Sequence, residues 1–292
     1  MRVTLLGTGC PIADEHRYGP SALVEAGEES WLVDCGSGVT QRLLAHGSSG
    51  ARITGLLLTH LHSDHTVDFI QLLISGWHQG RQGPLRVYGP ARTKAFFEGL
   101  LEAWQPEFRQ RLAHELRPPQ GLEVEIEEID GNWTLQTPEL RIGNTEVRHQ
   151  PIPQSFSFRF DNEDGSAVIS GDTAYCPELI ELARDTDLLV HEAYVHWAQQ
   201  ERNRISGRDP QGSENVRAYH TTTEEVGLVA RNAGAKNLAL THFVPTIFDR
   251  ERVVADVRKN YSGGLFVGED LMCWEIRGSV PSLLRSGVRG HP

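Results

Sequence analysis

Four side chains that can bind metal ions lie within one run of six residues, directly after an apolar stretch at residues 53–58. They are His60, His62, Asp64 and His65. Crowding three imidazoles and a carboxylate together is energetically costly unless a cation neutralises and orients them. This H-x-H-x-D-H pattern therefore predicts a metal site and indicates a metal-dependent hydrolase.

Three further apolar segments also end in a residue that can bind a metal or carry a proton. They end at Asp172, at His191 followed by Glu192, and at His242. His149 follows a shorter segment that resembles a strand. Because functional residues of α/β proteins gather where buried strands end in loops, we expect these side chains to converge on one cleft.

The candidate ligands are too many for one tetrahedral zinc ion. The seven are His60, His62, Asp64, His65, His149, Asp172 and His242. They suit two adjacent cations bridged by a carboxylate and by a hydroxide, which is a strong nucleophile at neutral pH. We expect two Zn²⁺ ions. Mn²⁺ or Fe are alternatives, because a site with mixed nitrogen and oxygen ligands accepts several metals.

The composition is that of an ordinary soluble globular protein, with 292 residues, 39% of them hydrophobic, and a formal net charge of −11. Predicted strands and helices alternate throughout, which indicates one α/β domain over residues 1–292, with residues 280–292 as a loose tail. Four scattered cysteines form no C-x-x-C pair and are typical of reduced thiols in a cytoplasmic protein. No apolar run approaches the length of a membrane span.

Several short motifs together resemble the metallo-β-lactamase superfamily, and within it the ribonuclease Z and arylsulfatase-like branch. They extend over nearly the full length: LGTG (6–9), VDCG (33–36), HLHSDH (60–65), SGDT (170–173), HEAY (191–194), HTT (220–222), LTHF (240–243) and GEDLM (268–272). The resemblance implies a four-layer αββα sandwich with the site at one edge. It also implies a homodimer.

The resemblance further implies a role for each candidate residue. One zinc ion would bind His60, His62 and His149, and the other Asp64, His65 and His242, with Asp172 between them. The implied catalytic residues are Asp64, the proton donor His220, and Glu192, which orients His220. Such a Glu–His pair raises imidazole basicity and fixes the orientation of the ring. Tyr194 departs from the family pattern, which usually has Thr at this position.

The stretch between His149 and Asp172 holds only 22 residues. Members that process tRNA carry a long tRNA-gripping arm here, and none fits in this chain. A net charge of −11 also disfavours broad nucleic-acid binding. We therefore expect a small ester substrate, either a phosphodiester or an aryl sulfate or carboxylate ester, and no nucleic acid.

Three alternatives stay open. One is a ribonuclease Z-type tRNA 3′-processing endonuclease that works without the arm. Another is a lactonase or β-lactamase on the same scaffold, although Asp172 and the Glu192–His220 pair argue against a lactamase. The third is a binding protein that keeps only the fold.

Two segments are candidates to border the substrate mouth. Residues 75–81 offer the aromatic face of Trp77 and the charge of Arg81. The second segment is a predicted loop, residues 199–218, which includes the arginine cluster Arg202, Arg204 and Arg208. Charge clusters of this kind usually lie on the solvated surface, and from the sequence we expect no functional role for these arginines.

Overall fold

The structure, a computed structural model, describes residues 1–278 and 280–286. Within them the strands are β1 (Arg2–Gly7), β2 (Ser21–Ala26), β3 (Glu29–Val33), β4 (Gly55–Leu57), β5 (Leu85–Gly89), β6 (Val124–Glu128), β7 (Thr134–Gln136), β8 (Arg141–Val147), β9 (Ser155–Asn162), β10 (Gly165–Ile169), β11 (Leu188–Tyr194), β12 (Asn237–Val244), β13 (Gly264–Val267), β14 (Met272–Arg277) and β15 (Val280–Ser286). The helices are α1 (Val39–His46), α2 (Phe69–His78), α3 (Thr93–Glu115), α4 (Pro177–Leu182), α5 (His196–Ser206), α6 (Pro210–Arg217), α7 (Thr223–Ala233) and α8 (Arg250–Arg258).

Two sheets form the centre of the molecule. The strand order is β15-β14-β1-β2-β3-β4-β5-β6 in the first sheet and β13-β12-β11-β10-β9-β8-β7 in the second. Strands β10 to β13 are parallel neighbours, so their carboxyl ends lie at the same edge of the second sheet. Every residue of β11 is buried, as expected for a strand that is covered on both faces.

Three apolar clusters hold the layers together. The first lies between the sheets and includes Trp31, Phe156 and Trp274, all nearly inaccessible to solvent. The second packs α4, α7 and α8 against the outer face of the second sheet, and the third packs α1, α2 and α3 against the first sheet. This layering confirms the predicted αββα sandwich.

Local sequence signals set several helix ends. Gly47 closes α1 in the left-handed conformation, with φ of 96°. The predicted capping box starts α7, with the Thr222 and Glu225 side chains each bonded to the other residue's backbone N–H. Asp249 caps α8 by accepting from two backbone N–H groups. Residues 199–218, expected to be a loop, instead lie mainly in α5 and α6.

The expected loose tail is wrong for residues 280–286, which form β15 and pair antiparallel with β14. Backbone hydrogen bonds to a neighbouring strand therefore hold this segment, although its composition lacks a strong strand pattern. Residues 287–292 lie outside the described residues. Among the described residues, no helix combines the length and apolarity needed to cross a membrane.

Candidate metal centre and adjoining cavity

Loops at the ends of strands from both sheets supply the predicted ligands. The run from His60 to His65 follows β4 of the first sheet, and its last three residues form a short 3₁₀ turn. His149 follows β8, Asp172 follows β10, and His242 lies within β12. The site therefore lies where the edges of the two sheets meet, and both must be folded for it to exist.

One group of possible ligands consists of His60, His62, His149 and Asp172. The Nδ1 atom of His62 lies 2.9 Å from Nε2 of His60 and 3.2 Å from Nε2 of His149. The Oδ2 atom of Asp172 lies 4.0 Å from Nε2 of His60 and 3.8 Å from Nε2 of His149. These four side chains point their polar atoms at one small volume.

A second group consists of Asp64, His65 and His242. The Nε2 atoms of His65 and His242 lie 3.2 Å apart, and Oδ2 of Asp64 is 3.3 Å from the His242 nitrogen. Oδ2 of Asp172 is also 3.3 Å from Nε2 of His242 and 3.5 Å from Nε2 of His65. Asp172 thus lies between the two groups, and the structure brings all seven predicted ligands together.

The chemistry of these contacts fits bound cations. His62 Nδ1 faces two other ring nitrogens at hydrogen-bond distance, and a single proton cannot satisfy all three atoms. Oδ1 of Asp172 is buried without a hydrogen-bond partner among the described residues. Buried polar atoms rarely stay unpaired, so converging nitrogen and oxygen lone pairs of this kind suit divalent metal ions.

Hydrogen bonds from behind fix the orientation of the imidazoles. His65 donates from Nδ1 to Oδ2 of Asp34 at 2.8 Å, and His149 donates from Nδ1 to the carbonyl of Tyr219 at 2.9 Å. The carboxylate of Asp34 also accepts from the backbone N–H of Thr59. Such outer contacts fix the tautomer and leave Nε2 free to bind a metal. Asp34 is a functional residue that the sequence motifs alone do not assign.

Burial and neighbouring charges shift the pKa values of the site residues in different directions. Burial lowers the pKa of His149 to about 4. Burial also opposes protonation of His242, but the Asp172 charge and the hydrogen bond to Asp64 raise its pKa to about 9. Burial disfavours ionised Asp172, yet His242 and His65 hold its pKa well below the usual range. Asp172 is thus held as the anion that the surrounding histidines face.

His220 and Glu192 form a buried pair beside Asp172. Nδ1 of His220 and Oε1 of Glu192 lie 2.8 Å apart, and the same nitrogen is 4.0 Å from Oδ2 of Asp172. Burial lowers the pKa of His220 to about 4, while burial and the charge of Asp172 raise the pKa of Glu192. Tyr194 stacks on His220, with the ring planes 9° apart, and donates its hydroxyl proton to the carbonyl of Ser213 in α6.

A cavity of about 410 Å³ opens onto this centre. Its lining includes His62, Asp64, Asp172, His220 and His242 from the centre, together with residues of α5 and α6. We call residues 196–217, which carry these two helices, the cap. The size lies within the ~300–1,000 Å³ typical of ligand sites.

The other segment expected at the mouth lies elsewhere. Trp77 is 1% exposed and donates from its indole N–H to the carbonyl of Pro118. Arg81 is buried and donates to the carbonyl of Ile53. Both side chains therefore tie α2 to neighbouring loops, and the expectation that residues 75–81 border the substrate is wrong.

The sequence matches known proteins over most of its length. The family profile described as "Beta-lactamase superfamily domain" matches residues 30–243. A protein named Ribonuclease Z from Mycobacterium marinum is 36% identical over 286 residues, covering 94% of this chain and 99% of that protein. Another Ribonuclease Z, from Mycolicibacterium gilvum, is 38% identical and covers 93% of this chain and 94% of its own length.

Solved structures share the fold. The metallo-beta-lactamase fold protein YhfI from Bacillus subtilis aligns with a TM-score of 0.72 and 22% identity, covering 94% of this chain and 98% of that one. Human tRNase Z, short form, aligns with a TM-score of 0.70 and 23% identity, covering 94% and 99%. At these sequence identities, the two structural similarities support a shared fold.

The relatives overturn two expectations drawn from the sequence, namely a small ester substrate and the exclusion of nucleic acid. Both depended on the short 149–172 stretch and on total charge. A match over 286 residues that covers 94% of this chain and 99% of the Mycobacterium marinum protein leaves no room for a long arm in that relative either. Total charge also ignores where the cations lie, and two arginines line the cavity. The chain belongs to the ribonuclease Z family of the beta-lactamase superfamily and is a metal-dependent hydrolase.

Proposed function

We propose that the protein is a tRNA 3′-processing endonuclease that hydrolyses a phosphodiester bond in precursor tRNA. The family membership supports this substrate, since full-length relatives are named Ribonuclease Z and one structural neighbour is named tRNase Z. The seven ligands and the His220–Glu192 pair, of which five residues line one cavity, suit hydrolysis of such a bond.

The observation that carries the proposal is the 2.8 Å contact between His220 and Glu192 beside Asp172. A ribose oxygen is a poor leaving group, because it departs as a strongly basic alkoxide unless it receives a proton. A general acid positioned next to the reacting phosphate removes this obstacle and contributes ~10²–10⁴-fold to the rate. We assign the donor role to His220 and the orienting role to Glu192.

The pair holds the same two protons in either charge state. Neutral His220 beside protonated Glu192 contains as many protons as the imidazolium beside the carboxylate. Burial favours the uncharged form, because a low-dielectric environment penalises both charges. Nε2 of His220 can therefore release a proton to the leaving oxygen while Nδ1 takes the proton shared with Glu192.

We also propose that the centre holds two zinc ions, with Mn²⁺ or Fe as alternatives. His60, His62 and His149 would hold one ion, Asp64, His65 and His242 the other, and Asp172 would contact both. Bound cations of this type activate water and neutralise charge that develops on phosphate oxygens. Asp64 also lines the cavity, and its carboxylate would help to position the nucleophilic water.

Cleavage of precursor tRNA by zinc-loaded protein tests the proposal. We expect a product cut at the 3′ end of the tRNA, strong loss in Asp64→Ala, and wild-type rates in His114→Ala, an exposed histidine of α3 that serves as control. Protein that hydrolyses bis(p-nitrophenyl) phosphate but leaves precursor tRNA intact would contradict it.

Three further properties complete the proposal. We expect residues 1–292 to act as one catalytic domain and, from the family resemblance, to form a homodimer that light scattering would detect. The four cysteines are buried and unpaired thiols, which suits a reducing compartment such as the cytoplasm.

A further inference from the structure

The four arginines of the cap fall into two groups, those with a carboxylate partner among the described residues and those without one. Arg204 and Arg217 lie within ion-pair distance of glutamates on their own helices, Glu201 and Glu214. Arg202 and Arg208 line the 410 Å³ cavity, and no carboxylate of the described residues lies within ion-pair distance of either. The two arginines that border the cavity are therefore the ones left free to bind an anion.

The chain as a whole is acidic, with a formal net charge of −11. Some of its arginines have a carboxylate partner, as Arg250 has Glu269. The planar guanidinium offers five donors and binds phosphate oxygens in a bidentate manner. Two such groups on the wall of a cavity suit a ligand that brings its own negative charges.

The arginines and the metal centre share this cavity. Cys10 also lines it, and Asp64, Asp172 and Arg202 are all near enough for their charges to act on the pKa of its thiol. The only cavity-lining acid on the cap is Asp209, whose carboxylate already caps α6 by accepting from the backbone N–H of Gln211. The cap thus presents net positive charge towards the centre.

We propose that Arg202 and Arg208 bind backbone phosphates of the RNA next to the one that is cleaved. The inference rests on the proposed function and names the surface of the chain that holds the substrate. A small ester has one phosphate, and the metal centre would occupy it. Two additional cations, on separate parts of the cap, require additional phosphates, and a polynucleotide supplies these at regular spacing. The cap therefore grips RNA in a chain that has no room for a long arm.

Single-turnover cleavage of precursor tRNA by zinc-loaded protein tests this assignment. It gives a half-saturating protein concentration and a maximal rate. Arg202→Ala and Arg208→Ala should each raise the half-saturating concentration by about 10- to 100-fold, the loss expected when a hydrogen bond to a charged group is removed. The logarithm of the half-saturating concentration rises linearly with the logarithm of the salt concentration. Each variant should lower the slope of this line by about 0.7, the value for one lost phosphate contact on single-stranded nucleic acid.

The cap offers a matched control. Arg204→Ala also removes an arginine side chain, from the helix α5 that carries Arg202. Arg204 is already paired with Glu201 and does not line this cavity, so the half-saturating concentration and the salt slope should stay at wild-type values. Arg202→Lys keeps the charge and should recover most of the salt slope. The rate on bis(p-nitrophenyl) phosphate should stay unchanged in every one of these variants.

The outcomes separate the two proposals. Wild-type protein that is inert towards precursor tRNA would overturn the proposed function and this inference together. Wild-type protein that cleaves precursor tRNA, with unchanged half-saturation and salt slope in both alanine variants, would overturn the inference alone. Equal losses on bis(p-nitrophenyl) phosphate would also overturn it, because they would place the arginines at the reacting phosphate.

Discussion

Asp34 holds His65 in place from behind, through a contact that the sequence does not reveal. The carboxylate accepts from Nδ1 of His65 and from the backbone of Thr59, and the residue has a left-handed φ of 60°. A non-glycine residue in that conformation costs energy, and such strain tends to persist at functional sites. From the sequence the VDCG segment indicates only a turn, because the partner histidine lies 31 residues away.

His220→Ala should distinguish substrates by their leaving group. We expect a loss of about 10²–10⁴-fold on precursor tRNA, whose ribose oxygen needs a proton, and little loss on bis(p-nitrophenyl) phosphate, which releases a stable phenolate. Rates for both substrates under identical zinc loading provide the measurement. Glu192→Gln should show the same selectivity to a smaller degree, and equal losses on both substrates would count against proton donation by His220.

The site residues that the fold brings together could be predicted because two independent signals in the sequence identify them. The HLHSDH run is dense, and Asp172, Glu192 and His242 each follow an apolar run in the sequence. The arginines of the cap carried no such signal. Their significance depends on which carboxylates lie nearby, and only the folded chain determines that.

The two cap helices line the cavity beside the His220–Glu192 pair, which is the proposed catalytic pair. They are weakly predicted because they are polar, and in α5 only Ala198 and Asn203 are buried. The anchor that ties α6 to the catalytic pair is Tyr194, through its hydroxyl bond to Ser213. The same residue stacks on His220, so one side chain links cap position to the orientation of the proton donor.

Tyr194→Phe should loosen the cap while it preserves the stacking. Loss of the hydroxyl bond to Ser213 removes ~0.5–1.5 kcal/mol, so we expect up to about a tenfold rise in half-saturation for precursor tRNA with a nearly unchanged maximal rate. Tyr194→Thr, the residue usual in the family, also removes the ring and should lower the maximal rate. A Phe variant with a slower maximal rate and unaltered half-saturation would refute this division.

Asp256 ties α5, α7 and α8 together and makes their docking depend on pH. Its carboxylate accepts from the Trp197 indole, the Thr223 hydroxyl and the Lys259 ammonium. Burial disfavours the charged form, but these three donors lower the pKa of Asp256 below its usual 3.8. The bonded carboxylate therefore stabilises the fold above that value, and its contribution is lost as the pH falls through the lowered pKa.

Urea unfolding at about pH 6 and about pH 3 measures this contribution. Asp256→Asn should narrow the difference between the two free energies of unfolding, because the amide does not titrate. Asp130→Asn, at an exposed turn, provides the control and should keep the wild-type difference. A difference in Asp256→Asn as large as in the wild type would contradict the role of this carboxylate.

The overall architecture follows from the order of elements, because parallel strands with intervening helices have few ways to cover both faces of two sheets. Individual packing is harder to foresee. The aromatic residues of α3 recur at helical spacing, which is typical of a core-facing stripe, yet Phe96 and Trp104 are 42% and 40% exposed. Periodicity identifies the apolar face of a helix but not how much of it a neighbouring layer covers.

Metal removal should destabilise the whole molecule, because the ligands come from both sheets. An ion bound only by the folded state adds ~2.7 kcal/mol when its concentration is 100 times the dissociation constant. We expect the melting temperature to fall on chelation of zinc-loaded protein and to recover when zinc is restored. Asp172→Asn should respond less, and a wild-type melting temperature that stays constant after elemental analysis confirms metal loss would contradict the assignment.

The cap has one more consequence. It occupies a single uninterrupted stretch of chain, residues 196–217, bounded by Glu192 on one side and His220 on the other. None of the seven ligands lies within it, so the reactive apparatus and the surface that selects its target are inherited as separate pieces. We expect that a replacement of this stretch which keeps the Ser213 contact of Tyr194 would redirect the hydrolase to another polyanion while the metal centre stayed intact.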